Sequence, residues 1–211
     1  MIRRVLVIGA GRGIGLGLVK RHLAEGWQVH ATTRDGTAAV DHLALAPHRF
    51  DVLDLAQLED LVDALDQPLD RIIHNAGINR GPRETIMAVN AEAPIRVVQT
   101  LLDAGRLWPD GVVAIMTSQM GARRGRSGSL GDYGDSKAAL NDEFRRRAPA
   151  WREAGAVAVV VHPGWVRTDM GGPGASLSVT ESVAAMTGLF DRLTPADHGR
   201  FVTWDGRDHP W

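Results

Sequence analysis

The chain has 211 residues, 24 basic and 25 acidic side chains, a net charge of −1, no Cys and 44% apolar residues. Near-neutral charge argues against nucleic acid or an anionic membrane as main partner, and the lack of Cys excludes disulfides, thiolate nucleophiles and Cys-ligated zinc. The longest apolar run, Ala156–Val161, is far short of the ~20 residues that cross a bilayer, and the start Met1-Ile-Arg-Arg runs into Gly11-Arg12-Gly13 without a cleavage site, so a cytoplasmic protein with one domain over residues 1–211 is expected.

Val5–Ile8 reads as a buried strand, followed after a Gly-rich turn by a helix over Ile14–Glu25. Gln28–Thr32 and His48–Val52 read as the second and third strands. Asp54 is placed to cap a helix over Leu55–Leu65, with Leu55, Leu58, Leu61, Val62 and Leu65 on one stripe. Arg71–His74 is a fourth strand, Arg83–Ala104 a long helix, Gly111–Thr117 a fifth strand and Tyr133–Ala154 another long helix. Val157–His162, a helix at Val179–Arg192 and a strand at Arg200–Trp204 close the chain. Short apolar strands alternating with helices predict an α/β fold. It is a single-domain, Rossmann-type, doubly wound parallel sheet of about seven strands with helices on both faces. Ligands bind such sheets beyond the strand carboxyl ends. The segments there are Gly9–Gly15, Thr33–Arg34, Asp51–Val52, Asn75–Gly77, Thr117–Ser118 and Pro163–Asp169.

The first strand ends in Gly9-Ala-Gly11-Arg12-Gly13-Ile14-Gly15, a Gly-x-x-x-Gly-x-Gly pattern. Without Cβ atoms the backbone can turn tightly and let a pyrophosphate approach the positive end of the next helix. A purely structural turn would use the same glycines. No Gly-Lys pair occurs, so a P-loop is excluded. Tyr133, the only Tyr, precedes Lys137 by four residues, and Lys20 is the only other Lys. At that spacing both lie on one helix face, where an ammonium lowers a phenol's pKa toward the range of a working acid–base group. An accidental surface pair is the bland alternative.

Together these features resemble the short-chain dehydrogenase/reductase family. Asn75-Ala76-Gly77, Asn90 in Val89-Asn-Ala-Glu, Ser118 after Met116-Thr117, and Pro163-Gly164 with Thr168 are similar to that family's motifs in order and spacing, from Val5 to about Asp169. Ser136–Asn141, His162–Pro173 and Asp205–Trp211 resemble the C-factor and Sniffer-like carbonyl reductases. Ile8 and His74 depart from the family, which usually has Thr and often Asn there; the Thr ties the glycine turn to the Asn-Ala-Gly strand.

The resemblance implies an NADP-dependent reductase that moves hydride between a nicotinamide and a carbonyl or alcohol substrate. Tyr133 would be the general acid–base, Ser118 would hold the carbonyl oxygen, Lys137 would lower the Tyr133 pKa and bind ribose, and Asn90 would hold a water that relays protons to Lys137. The implied cofactor contacts are Gly9, Gly11, Arg12, Gly13, Ile14 and Gly15; Thr33 and Arg34; Asp51 and Val52; Asn75, Ala76 and Gly77; Tyr133 and Lys137; and Pro163, Gly164, Val166 and Thr168. Thr33 stands where NAD binders carry an acid, and Arg34 beside it suits a 2′-phosphate, with Arg12 as a second contact, so NADP is expected over NAD. Asp35, one step on, leaves room for NAD.

The alternative reading of the chain is a nucleotide-sensing signalling protein on the same fold with weak or vestigial catalysis; the intact set Asn90, Ser118, Tyr133 and Lys137 favours the enzyme. Arg123, Arg124 and Arg126 read as a solvated loop, and Arg145–Arg147 as a wet helix face or interface rim. His74 and His162 read as packing groups, and no metal site is expected. Trp165 either lines a substrate pocket or packs in the core or a lid. Gly171–Ser176 reads as a hinged lid. The two long helices resemble those through which family members form homodimers or homotetramers.

Overall fold

The computed structural model describes residues 2–37, 40–124 and 128–211. Its elements are β1 (Arg4–Ile8), α1 (Gly13–Ala24), β2 (Gln28–Thr33), β3 (Leu45–Arg49), α2 (Leu55–Ala64), β4 (Leu69–His74), α3 (Arg83–Met87), a π-helical turn (Ala88–Glu92), α4 (Ala93–Asp103), β5 (Leu107–Met116), α5 (Gly131–Glu153), β6 (Val157–His162), α6 (Val179–Phe190) and β7 (Phe201–Thr203). The strands form one sheet in the order β3-β2-β1-β4-β5-β6-β7. Every pairing between these strands is parallel. Strand order reverses between β1 and β4, which opens a crevice at their carboxyl ends.

Both faces of the sheet are covered, which is why its inner strands β1, β5 and β6 carry continuous apolar runs rather than alternating ones. Leu6, Ile8, Ile72, Ile115 and Val160 pack toward α2, α4 and α5 through Leu58, Val97, Phe144 and Trp151. Val5, Val7, Ile73, Val159 and Val161 pack toward α1 and α6 through Leu18, Val19, Val183 and Phe190. Each such side chain, once buried, contributes roughly 1.5–3 kcal/mol. At the far end of the sheet, buried Arg71 donates to His22 Nε2 at 2.9 Å and to Asp191 at 2.8 Å. His22 Nδ1 bonds the Leu18 carbonyl at 2.8 Å. It must therefore carry the proton, so His22 is neutral.

Several boundaries move. The third strand is Leu45–Arg49, not His48–Val52. It is an edge strand, so Pro47 costs no ladder hydrogen bond, and the apolar Phe50 and Val52 that suggested strand instead plug the core as the chain turns into α2. Asp54 caps α2 as expected, its carboxylate accepting from Gln57 N–H at 3.1 Å. Leu55, assigned to the buried stripe, is exposed, because the first helical position faces away from the sheet. The helix expected over Arg83–Ala104 is interrupted by the π turn that contains Asn90. The fifth strand begins earlier, at Leu107, ahead of an irregularity between Leu69 and Arg71 on its partner.

Candidate active site

The glycine turn joins β1 to α1. Gly9 and Gly13 have φ of +81° and +54°, the left-handed region that suits glycine. A Cβ at Gly15 would lie 2.1 Å from the Gly9 carbonyl oxygen and 2.7 Å from Asn75 Nδ2; one at Gly9 would lie 2.7 Å from Ala76 Cα. Gly11 has only Thr33 Cγ2 at 3.5 Å. Asn75 Nδ2 donates to the Gly9 carbonyl at 2.8 Å, and Gly9 N–H donates to Thr32 Oγ1 at 3.2 Å. Thus Asn75 and Thr32 tie down the turn although Ile8 replaces the family's Thr. α1 starts with neither a capping side chain nor an acidic residue in its first turn. Its free N–H groups and positive end suit a phosphate.

Around the turn, Thr33 ends β2 and bonds the Thr37 carbonyl at 3.1 Å, while Arg34 is exposed beside it. The Asp35 carboxylate is taken up by Thr37 N–H and Oγ1 at 3.1 and 2.8 Å, and these bonds hold its pKa below the usual value. Arg12, expected to contact a phosphate, lies in the turn with its guanidinium on Asp169 at 2.6 Å, both well exposed. Asp51 follows β3 and accepts from Leu53 N–H at 3.0 Å. Val52 turns its side chain into the core and its carbonyl to Arg96 at 2.9 Å. Ile14 packs partly against the core, and Val166 is buried. Thr168 sits against Gly13, with Cγ2 3.2 Å from a Cβ built there. Pro163 and Gly164 follow β6, and a Cβ at Gly164 would lie 2.4 Å from Leu177 Cδ1.

Ser118 leaves β5 and accepts from Met120 N–H at 3.1 Å. Tyr133 and Lys137 share the inner face of α5. Lys137 Nζ is buried, donates to the Met116 carbonyl at 2.9 Å and lies 5.9 Å from the centroid of the Tyr133 ring. Burial pushes the Lys137 ammonium down to about 8. Burial raises the Tyr133 phenol, and its bond with Ser118 pulls the other way. Burial thus acts on the phenol against the lowering expected from Lys137, whose ammonium donates to the Met116 carbonyl.

Asn90 is fully buried. Its Oδ1 accepts from Ile78 N–H at 2.9 Å, and its Nδ2 donates to the Ile78 carbonyl at 2.7 Å and to Ser136 Oγ at 3.0 Å. Its amide therefore ties the segment after β4 to α5. A Cβ at Gly77 would lie 3.2 Å from Asn90 Oδ1 and 3.6 Å from Lys137 Nζ, so these groups meet at one spot. His74 is buried there with no partner for either ring nitrogen among the described residues; burial and the Lys137 charge push it down to about 3.

Sequence reasoning missed the bracing behind Ser118. Thr117 Oγ1 donates to Asn141 Oδ1 at 2.7 Å, and Asn141 Nδ2 donates to the Gly121 carbonyl at 3.2 Å. The signal was the one-turn spacing Tyr133, Lys137, Asn141 on α5. Met120, Leu130, Trp165 and Met170 are exposed on the segments that flank Ser118, Tyr133 and Gly164. Trp165 is thus outside the core, its Nε1 donating to the Gly171 carbonyl at 2.8 Å. Arg123 pairs with Asp142 at 2.7 Å, Arg124 N–H bonds the Trp211 carbonyl at 2.7 Å, and Arg126 lies outside the described residues. Among the described residues no group of three or more candidate ligands could hold a metal ion, and no helix is long and apolar enough to cross a membrane.

Residues 3–176 match the family model described as short chain dehydrogenase. The chain is 37% identical to C-signal of Myxococcus xanthus over 155 residues, covering 68% of this chain and 93% of that one. Its structure is similar to the NADPH-bound carbonyl reductase from chicken fatty liver, with a TM-score of 0.90, 30% identity and 100% and 99% of the two chains covered. It is also similar to the carbonyl reductase Sniffer of Drosophila melanogaster, with a TM-score of 0.87, 26% identity and all of both chains covered. With a model match over most of its length and the family's sheet order, the chain belongs to the short-chain dehydrogenase/reductase family of oxidoreductases.

Proposed function

We propose that the protein is an NADP-dependent carbonyl reductase whose one domain carries both the cofactor and the substrate sites. The observation that carries this reading is the convergence of Ser118, Tyr133 and Lys137 beside a glycine turn closed to side chains. The nicotinamide cofactor, when bound, supplies the hydride for a carbonyl carbon. The turn and the N-terminus of α1 hold its phosphates. Ser118 Oγ orients the carbonyl oxygen and stabilises its developing charge. Tyr133 gives its phenolic proton to that oxygen, and a phenol kept protonated by burial is ready for reduction. Lys137 binds the ribose and returns the proton to Tyr133. The exposed Met120, Leu130, Trp165 and Met170 suit an uncharged substrate.

Arg34, exposed beside Thr33 at the end of β2 where NAD binders carry an acid, supports NADP over NAD because its guanidinium can pair with a 2′-phosphate. Assembly as a homodimer or homotetramer is supported by the groove of about 540 Å³ between α4 and α5, where Glu92 and Glu143 lie beside Arg96 and Arg147; such mixed charge can pair across a two-fold axis, and light scattering at micromolar concentration tests it. NADPH and NADH titration, followed by turnover on aldehydes and ketones, tests the function. NADPH-dependent reduction is expected; binding without turnover on any carbonyl would overturn the reading.

A further inference from the structure

Tyr133 stands in the first turn of α5, two residues after its start, and the residue just before the helix, Leu130, offers no capping side chain. The carboxylates on either side of it, Asp132 and Asp135, both meet one guanidinium, Arg83, at 2.6 and 3.1 Å. Asp135 also accepts from Ser129 Oγ at 2.9 Å, and Ser129 Oγ accepts from Gly131 N–H at 3.0 Å. Arg83 opens α3, at the start of the same helical run that carries Asn90. Asn90 Nδ2 donates to Ser136 Oγ, and Ser136 Oγ donates to the carbonyl of Tyr133 itself at 2.8 Å. One run therefore grips α5 twice: inside through a buried amide and hydroxyl, outside through an ion-pair fork.

We propose that Arg83 is a positioning residue for Tyr133, its fork to Asp132 and Asp135 fixing the first turn of α5 and so the place of the phenol beside Ser118. The inference rests on the reading of Tyr133 as proton donor. Exposed ion pairs contribute little to global stability. Here, however, the pairs join segments 49 and 52 residues apart at a helix end where the Ser129 hydroxyl on Gly131 N–H is itself bonded to Asp135, so Arg83, Asp135 and Ser129 hold that turn as one unit. Acidic groups near a helix N-terminus favour the helix with or without Arg83. What Arg83 adds is the tie between that turn and α3, which sets where the turn sits.

The test compares Arg83→Ala, Arg83→Lys and the double variant Asp132→Asn/Asp135→Asn in kcat and in KM for NADPH and the carbonyl substrate. Arg83→Ala is expected to lower kcat roughly threefold to tenfold, the range open to one exposed pair or two, with KM for NADPH unchanged. Arg83→Lys should recover most of the loss, and Arg83→Ala should add nothing in the double-Asn background. Wild-type kcat in Arg83→Ala would overturn the proposal, as would an equal further loss in the double-Asn background. Tyr133→Phe, run in parallel, separates the two failures. If it keeps turnover, the reading of Tyr133 is wrong; if it is inactive while Arg83→Ala is unaffected, only the positioning role is wrong.

Discussion

Replacing Gly15 by Ala puts a methyl group 2.1 Å from the Gly9 carbonyl oxygen and 2.7 Å from Asn75 Nδ2, both held in the turn by their mutual 2.8 Å hydrogen bond. Backbone cannot yield as a flexible side chain does, so the overpacking costs about 1–3 kcal/mol. Breaking the Asn75 bond adds about 1 kcal/mol. A loss of about 2–4 kcal/mol lowers Tm by roughly 4–16 °C in a protein of this size. Gly11→Ala is the control, since its new methyl meets only Thr33 Cγ2 at 3.5 Å and its φ is not in the left-handed region. It should melt within about 2 °C of wild type, the shift for a substitution worth ~0.5 kcal/mol. Thermal unfolding by circular dichroism reads both. A Gly15→Ala protein that melts with wild type, or a Gly11→Ala protein that falls as far, would refute the geometry assigned to the turn.

Acid should unfold the protein early. Burial holds His22, His30 and His162 at about 4 and His74 at about 3, against 6.5 for each when unfolded. The folded state favours the neutral rings, so their stabilisation is complete above pH 6.5 and is lost as pH falls toward 4, each ring removing up to about 1.4 kcal/mol per pH unit. Urea midpoints that stay flat over that window would contradict it. Thr33→Asp with Arg34→Ala should shift preference from NADPH toward NADH by roughly 10- to 150-fold, the value of one charged hydrogen bond; equal binding of both cofactors by wild type would remove Arg34 from the site. Hydrogen exchange in residues 171–176 should slow when NADPH binds, because that segment bonds to Trp165, Arg167 and Thr168 in the stretch after β6 that is proposed to contact the cofactor; identical exchange with and without cofactor would make it a static loop.

The sheet was legible because its apolar strands and their helices repeat in a pattern that only a covered parallel sheet satisfies. Gly9, Gly13, Gly15 and the Tyr133–Lys137 spacing carried most of the candidate site. The misplaced third strand shows the limit of local pattern: Phe50 and Val52 are apolar because the core needs them after the strand, and Pro47 is allowed within it only because β3 is an edge. The π turn at Asn90 left no trace, since Ala88–Glu92 suits an ordinary helix equally well. Arg12–Asp169 and Arg83–Asp132 join residues 157 and 49 positions apart. Such pairings arise from the fold and have no signature in spacing. The raised Tyr133 pKa was hidden for a related reason: neighbours along a helix can be read from sequence, but desolvation depends on everything packed around them.

The central claim is that Tyr133 donates the proton in carbonyl reduction, and steady-state turnover of Tyr133→Phe with NADPH tests it most directly. The variant should bind NADPH as wild type does and lose roughly 100-fold or more in kcat, the scale of lost general acid catalysis. Turnover equal to wild type, with the cofactor bound normally, would contradict the account.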